Sequence, residues 1–148
     1  MKIHELGHVV LHVSDLAKSV HFYGDVLGFR PVRTGDRSVM FSSGRTHHEL
    51  LLVQANPDAA PLPSHKSLGM SHFALKVGDS DDELRAALAE LKAENVHIDR
   101  ISDHGESHSI YLRDPDGNQV EIYIDVQPAR WKEDPSLVGQ GGDKNWTL

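Results

Sequence analysis

A chain of 148 residues is long enough for one domain with a sizeable core and too short for two ordinary ones. Its composition, 39% hydrophobic and 25% charged, is that of a soluble globular protein, and a net charge of −7 with a pI near 5.8 argues against nucleic acid or an anionic membrane surface as partner. The lack of cysteine excludes disulfides and thiolate metal sites and fits a reducing cytoplasm; no apolar run reaches the roughly 18 residues that span a bilayer, and residues 1–8 lack the apolar core of a secretory signal.

Residues 7–15, GHVVLHVSD, alternate and are rich in valine, which predicts a strand. A helix is expected next, capped by Ser14 or Asp15, with Leu16, Val20, Tyr23 and Leu27 at helical spacing and Gly28 as its stop. FRPVRTG, RSVMFSSG and THHELLLVQA read as three strands with turns at Gly35 and Gly44, and residues 55–69 as an exposed, proline-bearing connector. The pattern then restarts. SHFALKVGD is a strand, Ser80 or Asp81 opens a helix with Leu84, Leu88 and Leu91 toward the sheet, and HIDRIS, SIYLRD and QVEIYID are strands. DPDGN before the last of them reads as a turn, with Gly117 or Asn118 taking positive φ. Residues 126–148 lose periodicity and read as a tail that packs on the body or on a partner through Trp131 and Trp146.

Setting GHVVLHVSD over SHFALKVGD aligns His8 with His72, and Leu11, Val13 and Asp15 with Leu75, Val77 and Asp79. The chain is therefore expected to be an internal duplication of a βαβββ unit, an α+β fold of two tandem modules at about residues 5–55 and 69–125.

Histidine is the compositional outlier, with 11 copies, and suits both metal ligation and proton transfer near neutral pH. Glu121 stands inside QVEIYI, where an ionised carboxylate is costly to bury without a partner. His8 and His72 hold equivalent places near the starts of the first strands of the two halves. Two imidazoles and one carboxylate suit a divalent metal such as Fe(II), with positions left open for substrate and dioxygen. Imidazole also suits Zn, Ni and Cu, so ligand type does not choose the metal. Aligning Gly44 with Gly117 puts His48 at the place of Glu121 and Glu49 on the opposite face; a slip of one residue reverses the choice. Either His48 faces the site as a non-ligand or Glu49 enters it as a fourth ligand, unless HHE is an exposed polar edge.

Paired βαβββ halves carrying His8, His72 and Glu121 resemble the vicinal oxygen chelate superfamily, which includes glyoxalase I, fosfomycin and bleomycin resistance proteins and type I extradiol dioxygenases. The resemblance covers residues 7–125. It implies one domain over residues 1–125, followed by the tail at 126–148, with a curved mixed sheet around a metal cleft. HGESHSIYLRDPDGNQVEIY resembles the extradiol signature: a His-Gly pair, a tyrosine, a DPxGN turn, and a glutamate ten residues after the tyrosine, here Tyr111 to Glu121. GRTHHELLL resembles that branch's Gly-Arg-His-His strand, whose second histidine faces the active site. The resemblance thus implies His48, His104 and Tyr111 as acid–base groups. The spacing from His104 to Tyr111 is shorter than in the best-known members, so His108 competes with His104, which keeps the Gly105 neighbour. Those members carry twice as many βαβββ units, which implies closure of the site by the tail or a second subunit.

The implied function is ring cleavage of a catechol-type diol by an Fe(II) enzyme, with Mn, Ni or Zn as other metals. Its partners would be an aromatic small molecule and dioxygen, and its setting a cytoplasmic homodimer or higher homo-oligomer. Val10, Phe73, Leu112 and Tyr123 would line the pocket or belong to ordinary core. Rival readings on the same fold are a glyoxalase-I-like isomerase or lyase with Glu49 as fourth ligand, and a non-enzymatic binder of an aromatic drug.

Overall fold

The computed structural model of the protein describes residues 1–62 and 68–148, so the part of the expected connector at 63–67 lies outside the described residues. The chain divides into two compact units, residues 1–62 and 63–148, each with the expected βαβββ order.

In the first unit, β1 (Val9–Val13) leads into α1 (Leu16–Val20), where the Asp15 carboxylate accepts from the Lys18 amide as N-cap. The expected single helix continues as a π-helical turn, His21–Val26, before Gly28 at φ +77° ends it. The wider turn goes with the burial of two consecutive aromatics, Phe22 and Tyr23, which meet edge to face at 5.1 Å. β2 (Arg30–Gly35), β3 (Ser38–Ser42) and β4 (Leu50–Gln54) complete a sheet of order β1-β4-β3-β2, with β1 and β4 parallel. The last strand is shorter than expected. The Glu49 carboxylate accepts from the Ser43 amide and hydroxyl and from the Thr46 amide, which folds residues 43–49 into a loop and keeps His47 and His48 out of the strand.

In the second unit, β5 (His72–Gly78) is followed by α2 (Asp81–Ala93), capped by Ser80, whose hydroxyl accepts from the Glu83 amide. The Glu83 carboxylate reaches back to the Ser80 hydroxyl and the Asp79 amide, completing a capping box. The buried leucines of α2 are Leu84, Leu88 and Leu91, as expected, and each contributes roughly 1.5–3 kcal/mol by leaving water. β6 (Ile98–Asp103), β7 (Ser107–Arg113) and β8 (Gln119–Asp125) extend the sheet to β5-β8-β7-β6. Asp114 closes the turn between β7 and β8: its carboxylate accepts from the Asp116 and Asn118 amides and from the Asn118 side chain. Gly117, not Asn118, takes the positive φ, +90°.

Residues 126–148 are built into this second unit. They form α3 (Pro128–Glu133), a 3₁₀ turn (Pro135–Leu137) and β9 (Lys144–Asn145), which pairs with the β6 edge at Ser102 and Asp103. Trp146 stacks on the His108 ring at 3.8 Å. Among the described residues no helix is long and apolar enough to cross a membrane.

Candidate metal and acid–base site

Strand register decides which side chains share a face of the second sheet. Ala74, Glu121, Tyr111 and Arg100 lie opposite one another across four adjacent strands, so they project to one side. Phe73, Val120 and Leu112 are likewise paired and project to the other. Phe73 and Leu112, expected as candidate lining, therefore stand on the face away from Glu121, whereas Tyr123 shares its face. Val10, in the first unit, is partly exposed.

Glu121 is 8% exposed, and its carboxylate is not left unpaired. The Ser109 hydroxyl donates to Oε1 at 2.6 Å, and His72 Nε2 lies 3.1 Å from Oε2. Ser109 is two residues before Tyr111 and so on the same face, a position that alternation alone identifies. An imidazole nitrogen and a braced carboxylate oxygen that converge in this way suit a divalent cation. Within either unit, among the described residues, no group of three or more His, Asp or Glu side chains gathers as a metal cluster.

Tyr111, 2% exposed, lies beside this pair, with its ring edge to face with His72 at 5.5 Å. Burial, and then the Glu121 charge, push its phenol up to about 12, against the opposing effect of Arg100, whose guanidinium lies 3.8 Å from the ring centroid. His104 Nε2 is 2.9 Å from the Tyr111 hydroxyl. His108, the competitor for this place, is in β7 one strand position out of phase with Tyr111. Its Nδ1 is 2.6 Å from Asp81 at the start of α2, on the other face of the sheet. A cavity of about 370 Å³ opens along His104, Tyr111, Glu121, Gly142 and Asp143.

The first unit holds a histidine group of its own. His8 precedes β1 and its ring centroid lies 4.4 Å from that of His48, which in turn contacts His47. His48 is 9% exposed, and burial, then the neighbouring His47 and His8, push its pKa down, with Glu49 opposing. The ladder corrects the alignment of the two halves. Val9 pairs with Leu50 as Phe73 pairs with Val120, so Leu51 occupies the place of Glu121, and neither His48 nor Glu49 does. The Glu49 carboxylate is engaged by Ser43, Thr46 and Arg45.

Three residues of the site were not identified from the sequence: Ser109, Arg100 and Asp143. Only Ser109 carried a signal. Asp143 belongs to an aperiodic segment that a two-residue strand fastens down.

A model of the Glyoxalase/Bleomycin resistance protein/Dioxygenase superfamily matches residues 5–122. The chain is 36% identical over 135 residues to catechol-2,3-dioxygenase of Bacillus subtilis (strain 168), a match covering 89% of this chain and 46% of that protein. It is 29% identical over 120 residues to biphenyl-2,3-diol 1,2-dioxygenase 3 of Rhodococcus globerulus, covering 81% of this chain and 63% of that one. It thus spans less than two thirds of the length of either dioxygenase. Among solved structures, lactoylglutathione lyase from Agrobacterium tumefaciens matches with a TM-score of 0.64 at 29% identity, covering 81% of this chain and 92% of that one.

Proposed function

Because the chain belongs to the glyoxalase/bleomycin resistance protein/dioxygenase superfamily, we propose that it is a metal-dependent extradiol dioxygenase that opens the ring of a catechol-type diol with dioxygen. The observation that carries this reading is the hydrogen-bonded His104–Tyr111 couple on the same face as the His72–Glu121 pair. In this reading His72 and Glu121 are metal ligands, and His8 is the third ligand expected from the duplication. The metal, Fe(II) with Mn, Ni or Zn as other fits, would supply Lewis acidity and a meeting point for the diol oxygens and dioxygen.

The remaining work falls to the chain's own groups. Tyr111, with its pKa pushed up to about 12, stays protonated at neutral pH; its hydroxyl donates to His104 Nε2 and its oxygen accepts from a substrate hydroxyl. His104 Nε2, 2.9 Å from that hydroxyl, accepts and returns a proton. His48, its pKa lowered from 6.5, is neutral at pH 7 and serves as base toward the diol. Val120 and Ile122, buried on the opposite face of β8, keep the strand that presents Glu121 packed. An isomerase or lyase would draw on Glu49 at the metal, and the engagement of that carboxylate with Ser43 and Thr46 favours the dioxygenase reading. A homodimer or higher oligomer in the cytoplasm completes the proposal.

The test is metal analysis of anaerobically purified protein together with oxygen uptake in the presence of Fe(II) and a panel of catechols. About one iron per chain, lost in His72→Ala, and oxygen consumption with at least one catechol are expected. No uptake with any catechol would sink the dioxygenase reading.

A further inference from the structure

We propose that Asp143, from the C-terminal segment, is a positioning residue for His104, and that Arg100 holds Asp143 in place to do it; this rests on the acid–base role given to His104 above. The segment approaches His104 as bare backbone. A Cβ on Gly141 would collide with the His104 carbonyl, and one on Gly105 would come within 2.9 Å of Gly141 Cα. On one side of this contact the Gly139 amide donates to Glu106 at 3.1 Å, and on the other β9 pairs with Ser102 and Asp103. Residue 143 is thereby held between two anchored points.

Held there, Asp143 faces two ways. Its Oδ2 accepts from Arg100 Nη1 at 2.6 Å, and its Oδ1 lies 3.9 Å from His104 Nδ1. The other ring nitrogen of His104 is at the Tyr111 hydroxyl, and Arg100 packs on the Tyr111 ring. Asp143, His104, Tyr111 and Arg100 therefore close a ring of four contacts. At 3.9 Å the carboxylate is within ion-pair reach and beyond hydrogen-bond reach, so it acts on His104 through its charge. A negative charge on the Nδ1 side favours the tautomer with its proton on Nδ1 and leaves Nε2 to accept from Tyr111. It also stabilises the imidazolium that forms when His104 takes a substrate proton relayed through Tyr111, which keeps one proton throughout. The Ser102 hydroxyl, followed by Arg100 and His104, keeps the Asp143 carboxyl below the usual carboxylate range, so the charge is present at neutral pH. Without Asp143, the Arg100 cation would be left uncompensated beside His104 and would oppose that protonation.

Asp143 is 54% exposed, so its replacement leaves the fold in place. In the Fe(II)-loaded protein, Asp143→Asn is expected to lower kcat about tenfold with KM unchanged, and Asp143→Glu to recover part of the loss. In a His104→Gln background, Asp143→Asn is expected to cost nothing more, because its effect passes through His104. An equal loss in both backgrounds, or no loss in either, overturns the proposal. Should no catechol support oxygen uptake, the reading of the function fails by itself, and the proposal is then decided on ring-nitrogen NMR of 15N-histidine-labelled protein. Asp143→Asn is expected to shift the His104 Nδ1 and Nε2 signals and leave those of His72 in place; unchanged His104 signals overturn it.

Discussion

The two units share a strand order and a parallel pairing of first and last strands, yet the ladder places Leu51 in the first where it places Glu121 in the second. On the inward face the two remain alike. Leu50 and Leu52 are buried as Val120 and Ile122 are, at matching positions. The main difference lies at the alternate positions, although Gln54 stands where the second unit has the buried Ile124. Ser38 already stands at the place of Ser109, so one repeat of the scaffold acquires the site by a carboxylate in place of Leu51 and a tyrosine in place of Met40, with little change to the packing that both repeats need. The first unit carries its ionisable groups elsewhere, in the loop ahead of β4, where the Glu49 carboxylate organises the backbone around His47 and His48.

The largest expected effect comes from making the units alike. Glu121→Leu gives the second unit the residue of the first, and metal content is expected to fall to background while the apolar core keeps the protein folded. Retention of a full complement of metal would show that Glu121 is not a ligand. Next in size is a contrast within β7 and the loop before it. His104→Gln is expected to lower kcat by roughly 10²–10⁴-fold, whereas His108→Gln, whose ring is held by Asp81 and Trp146, changes kcat little. Equal losses from both substitutions would remove the distinction drawn between the two faces.

The smallest effect concerns the loop of the first unit. Burial pushes Glu49 up, but the Ser43 amide, the Ser42 and Ser43 hydroxyls and the Thr46 amide together hold its carboxyl below the usual value of 4.5. A carboxyl lowered in the folded state contributes stability above the unfolded value, and that stability is lost as pH falls through the folded one. Glu49→Gln is therefore expected to cost about 1–2 kcal/mol at pH 7, to lose less on acidification below pH 4.5 than the parent, and to leave metal content unchanged. Urea unfolding at both pH values reads the first two effects; parallel losses on acidification would exclude Glu49 as the responsible group.

The parts of this architecture that follow a period were legible in the sequence. The two βαβββ repeats and the leucines of α2 come from spacings of two and of three to four, whereas the ten-residue step from Tyr111 to Glu121 entered through the family resemblance and their shared face through the ladder. The correspondence between units was not legible, because Leu51 lies seven positions after Gly44 whereas Glu121 lies only four after Gly117. A side-chain carboxylate closes the longer loop, and no periodic signal marks its length. The π-helical turn and the role of residues 139–145 escaped for a related reason. Each depends on partners far along the chain or on backbone contact, such as Gly141 against His104, that residue types alone do not announce.

The turn that Asp114 closes has a further meaning for how this chain can change. Tyr111 and Glu121 face each other because equal lengths of strand run back from that turn, so the ten-residue step between them is the arithmetic of a hairpin. One inserted or deleted residue in β7 or β8 would turn half of the site to the wrong side of the sheet. Length variation can be absorbed at residues 43–49, which lie outside a strand ladder, but not between Tyr111 and Glu121. The DPDGN turn is thus a fixed origin from which positions in related chains can be counted, and a chain whose count differs there cannot carry the same pair.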